Sequence, residues 1–82
     1  MPTAPNRDLA EVLRDGMVQA PRILEVLKEG PKTIPEIAGA LGCPAREVTL
    51  WVMALRRYGR VADVAKAPTE EYYRYRRVEG GT

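Results

Sequence analysis

The chain contains no histidine and a single cysteine, Cys43. Without histidine the usual zinc-binding constellations fall away, and so does the commonest general base. One thiol cannot close an internal disulfide. There is also no apolar run long enough to cross a bilayer, no glycine-rich phosphate loop and no nucleophile elbow. The opening residues, MPTAPNRDLAEV, lack the basic start and apolar stretch of a signal peptide. These absences lead to the expectation of a cytoplasmic protein, not an enzyme, with no metal, cofactor or catalytic residue. Glu70 and Glu71 do not change this, because neighbouring side chains in a strand or turn point apart rather than acting on one substrate.

Its 82 residues suffice for one small domain, of a size at which burial is marginal unless a partner adds to the core. A net charge of +2 is too small to imply a nucleic-acid partner, so its distribution carries more weight. Residues 1–29 hold four basic and five acidic side chains. Residues 30–60 hold Lys32, Arg46, Arg56, Arg57 and Arg60 against only Glu36 and Glu47. The positive excess therefore belongs to the middle of the chain.

Residues 1–5 hold two prolines and no periodic pattern, so a frayed tail is expected there. From Asn6, read as an N-cap, Leu9, Val12, Leu13, Met17 and Ala20 follow helical spacing; Gly16 weakens this helix and Pro21 ends it or starts the next. A second helix is expected over 22–29, stopped by Gly30-Pro31. Thr33 and Glu36 have capping-box spacing at the start of a third, whose stripe is Ile34, Ile37, Ala38 and Leu41 and whose end is Gly42. Pro44 opens a fourth helix, 44–58. At 100° per residue it splits into an inward face of Val48, Trp51, Val52 and Leu55 and an outward one of Arg46, Leu50, Met53 and Arg57, flanked by Thr49 and Arg56. After Gly59, residues 60–65 read as a strand, 66–71 as a loop and 72–78 as a returning strand. In that strand Tyr73 and Tyr75 share the core side, and Tyr72, Arg74 and Arg76 the other. Residues 79–82 read as a flexible tail.

The stretch IPEIAGALGCPAREVTLWVMALRRYGRV resembles the winged helix-turn-helix pattern of small prokaryotic regulators of the MarR and ArsR type. The likeness rests on Ala38 in mid-helix, Leu41-Gly42 before the turn, apolar Val48, Val52 and Leu55, then Gly59 and Val61; with the preceding helix and Tyr72-Tyr73-Arg74-Tyr75 it covers residues 21–78. It implies a mainly α fold with a small β-hairpin: a three-helix core, a two-stranded wing and an extra N-terminal helix. Residues 1–20 would be a tail and helix serving dimerisation, and 79–82 the tail.

The function this resemblance implies is DNA-binding transcription regulation by a homodimer on double-stranded DNA. Helix 44–58 would enter the major groove, with the wing, 60–78, on backbone or minor groove and the amino end of the Thr33 helix facing phosphate. Arg46 and Thr49 would meet base edges, Leu50 and Met53 a thymine methyl, and Lys32, Arg57, Lys66, Arg74 and Arg76 phosphates. Leu9, Val12, Leu13 and Met17 would form the dimer seam. Three features point elsewhere: Pro44 stands where a capping hydroxyl is common, Glu47 in the first turn repels phosphate, and Leu50 with Met53 puts apolar surface among the arginines. The alternative is a protein-interaction module that uses the Leu50/Met53 patch.

Overall fold

The computed structural model describes residues 8–78 and contains three helices and three short strands. The expected tail over 1–5 and the tail at 79–82 lie outside those residues. In chain order the elements are α1 (Leu9–Leu27), β1 (Lys32–Thr33), α2 (Ile34–Leu41), α3 (Ala45–Arg57), β2 (Val61–Val64) and β3 (Arg74–Arg77). Among the described residues, no helix is long and apolar enough to cross a membrane.

Residues 9–27 form one helix where the sequence reading expects two. Pro21 sits inside α1 without ending it. Proline removes one helical hydrogen bond, to the carbonyl four residues earlier, here that of Met17. Both Met17 and Pro21 are exposed, so water can serve the released carbonyl and the helix continues. Asp8, rather than Asn6, takes the N-cap position, although its side chain makes no capping hydrogen bond.

Gly16 has a packing role instead of merely weakening the helix. A Cβ at this position would lie 2.5 Å from Cδ1 of Trp51, so only glycine lets α3 come this close. The indole Nε1 of Trp51 then donates to the backbone oxygen of Val12 at 2.7 Å. Trp51 is only 3% exposed, and this bond satisfies its one polar atom. Val12 is buried beside it in the chain's own core, which removes it from the exposed seam expected over residues 9–17.

The helix pair over 33–57 follows the sequence reading closely. The Thr33 hydroxyl accepts from the Glu36 amide at 3.3 Å while the Thr33 amide donates to the Glu36 carboxylate at 2.8 Å, a complete capping box. Gly42 ends α2 in the left-handed region, at φ 72°, and its amide donates to the Ala38 oxygen. Ile37, Ala38 and Leu41 from α2 meet Val48, Val52 and Leu55 from α3, with Ile23 and Leu27 of α1 and Val61 of β2 closing the same core. Gly59, at φ 77°, lets the chain leave α3 for β2.

The sheet has three strands in the order β1-β3-β2, all antiparallel, where a two-stranded hairpin is expected from sequence. Lys32 pairs with Tyr75 and Thr33 with Arg74 on one side of β3; Ala62 pairs with Arg76 and Val64 with Arg74 on the other. Residues directly opposite share a face. Arg74 and Arg76 thus stand on the face away from Val61, while Tyr75 packs against the core. Tyr73 precedes the strand and is exposed, not core-facing as its alternation with Tyr75 implies.

Candidate nucleic-acid interface

α3 presents the row anticipated from its 100° spacing. Arg46, Thr49 and Arg57 are exposed, and Leu50 is 39% exposed. Thr49 Oγ1 donates to the Ala45 oxygen at 2.9 Å, which leaves the hydroxyl's lone pairs facing outward. Met53 departs from the row. It is half-buried and packed on the core, at the edge of a shallow groove with Arg56, Arg57 and the first residues of β2. The apolar patch proposed at Leu50 and Met53 therefore reduces to Leu50.

Glu47 does not face outward. It is 5% exposed, on the Trp51 side of α3, one helical turn before that residue. No buried side-chain polar atom among the described residues lacks a hydrogen-bond partner. The first turn of α3 therefore offers an approaching polyanion Arg46 rather than a carboxylate.

The wing is more internally paired than its composition implies. The guanidinium of Arg74 binds the Glu70 carboxylate, which also accepts from the Ala67 amide at 3.1 Å. Lys66 Nζ donates to the Glu70 backbone oxygen at 2.9 Å and lies 5.7 Å from the centre of the Tyr73 ring. The hydrogen bond from Arg74, followed by that from Ala67, holds the Glu70 carboxyl below its ordinary value. Lys66 and Arg74 are thus occupied in shaping the loop, whereas Arg76 is exposed on the same sheet face as Arg74.

Two more expected contacts are likewise engaged. Lys32 lies 3.9 Å from the Glu29 carboxylate, and the amino end of α2 is closed by the capping box. The bond from the Thr33 amide is the chief cause holding the Glu36 carboxyl below its ordinary value, so a negative charge already occupies that helix end. On the strand side, Arg56 Nε pairs with Asp63 Oδ1 at 2.9 Å, and that hydrogen bond lowers the Asp63 carboxyl. Arg46, Thr49, Leu50, Arg57 and Arg76 remain as the outward-facing members of the expected set.

Tyr58 was missed by the outward-face pattern. It is 77% exposed at the C-terminal end of α3, next to Arg57. The available signal was Gly59: a helix that stops immediately after Tyr58 no longer carries its side chain into the inward stripe. Of the expected dimer residues, Leu9, Leu13 and Met17 are exposed along α1. No protein-family model matches the chain, and no curated protein matches it significantly.

Proposed function

We propose that the chain is a winged-helix DNA-binding transcriptional regulator whose α3 enters the major groove and whose β2–β3 hairpin lies against backbone or minor groove. The observation that carries this reading is the outward row of α3, which has an arginine at each end and Glu47 turned inward. Arg46 and Arg57 are eleven residues apart, or about 17 Å along the axis, the length of about five base-pair steps. Arg46 and Thr49 suit base edges and Leu50 a thymine methyl, while Arg57 and Arg76 suit phosphates.

Labelled mixed-sequence duplex titrated at several salt concentrations tests the proposal. Log K is expected to fall with log salt, and Arg57→Ala to reduce the slope by about one. No binding at low salt would sink it. The alternative, a protein-docking module, rests on the part-exposed Leu50. Leu50→Glu would then abolish partner capture while duplex binding is absent in the unmodified chain.

A further inference from the structure

We infer that α1 is the seam of a two-fold dimer of this chain, packed antiparallel on the partner's α1 with Arg14 of each helix against Glu25 of the partner subunit. This concerns a different surface from the α3 row and stands whether or not α3 binds DNA.

The first observation is an apolar row that the fold leaves uncovered. Leu13, Met17, Ala20 and Leu24 follow each other at spacings of four, three and four, the repeat of a coiled-coil seam, within about 60° of the helix circumference. Val12, Ile23 and Leu27 point elsewhere, into the chain's own core. Met17 is 78% and Leu13 47% exposed, and Ala20 and Leu24 form the floor of an open groove. Glu25 borders this groove on one side, with Arg60, Arg77 and Val78 lining it beside the strands. α1 is therefore apolar on two faces, of which one is used.

The second observation is charge complementarity of this row with itself. Arg14 and Glu25 lie on the same flank of the row, eleven residues or three turns apart, and both are exposed. Glu25 has only a 3.7 Å contact with the exposed Lys28 to compete for it. A parallel pair would set Arg14 against Arg14, whereas an antiparallel one sets each Arg14 against a carboxylate. That match puts the two-fold axis between Gln19 and Ala20. The partner's Leu24, Ala20, Met17 and Leu13 then come level with Asp15, Gln19, Arg22 and Val26, in the gaps of the facing row. One register thus satisfies both charge and packing, and the small Ala20 at its centre lets the helices approach closely.

Sedimentation of the full chain from low micromolar to sub-millimolar concentration tests this, with circular dichroism to verify folding. The unmodified chain is expected to dimerise, and Met17→Lys, at a side chain outside the core, to leave it folded but monomeric. Arg14→Glu and Glu25→Arg should each weaken the dimer about tenfold, by removing two ion pairs and creating two repulsions, and the double exchange should recover affinity to within about threefold. A monomer at every concentration would overturn the inference, as would a dimer indifferent to Met17→Lys. A charge exchange that fails to restore association would overturn the antiparallel register.

Discussion

α1 and α3 contribute their inward faces to one core but present opposite chemistry to solvent. Residues 8–29 carry five acidic and three basic side chains, and residues 45–78 carry eight basic and four acidic. The uncovered row of α1 is apolar, whereas that of α3 is polar with arginines at its ends. An apolar row gains by being removed from water and responds little to salt; a basic row gains by releasing counterions from a polyanion and responds steeply. The difference shows how a chain of this size can support two contacts without mixing them, because each outward face can be altered while the common interior stays intact.

That separation should fail most severely where the two helices touch. Gly16→Ala places a methyl group against the Trp51 ring and is expected to destabilise the fold by about 1–3 kcal/mol, read from thermal or denaturant unfolding. Helix propensity alone would make the same change favourable by up to about 1 kcal/mol, so the sign of the effect decides whether close approach or propensity governs this site.

A smaller effect, confined to the α2–α3 side, is expected from Thr33→Ala. Loss of the capping hydroxyl should cost about 1 kcal/mol, measured as a lower unfolding midpoint with no change in α1-mediated association. A drop in dimer affinity alongside it would show that the two faces are not independent.

The smallest effect concerns acid. Glu36, Asp63 and Glu70 all have carboxyl pKa values lowered in the folded chain, so the native state binds their protons less readily than the unfolded one. The stability they contribute is complete above the ordinary values of 4.5 for glutamate and 3.8 for aspartate, and is lost as pH falls through the lower folded values. Melting temperature should therefore decline modestly between about pH 5 and about pH 2, with Glu70→Gln flattening part of that decline.

The turn between α2 and α3 was legible in the sequence because its determinants are local: Thr33 and Glu36 at one end of α2, Gly42 at the other, and a 100° stripe through α3. What escaped depends on residues distant in sequence. Pro21 reads as a break until the solvent exposure of its turn is known. Gly16 reads as a weak helix position until Trp51 arrives against it. β1 is only two residues long, doubles as the entry to α2 and is a strand only because β3 pairs with it. On the candidate interface, helical angle placed Arg46, Thr49, Leu50 and Arg57 outward as found, but Met53 is drawn inward by packing beside β2 and Glu47 by burial on the Trp51 side. The engagement of Lys66 and Arg74 by Glu70 follows from the path of a loop that composition does not encode.

Trp51 is the only tryptophan in the chain, so its emission reports the junction of α1 with α3 and nothing else. An indole shielded from water and bonded to the Val12 carbonyl should emit at short wavelength, and any event that lifts α1 from α3 should shift that emission to the red. If the two helices unfold as one cooperative unit, this optical transition will coincide with loss of helical dichroism along a denaturant series. The junction that Gly16 makes possible thus supplies an intrinsic signal for distinguishing detachment of α1 from collapse of the whole fold.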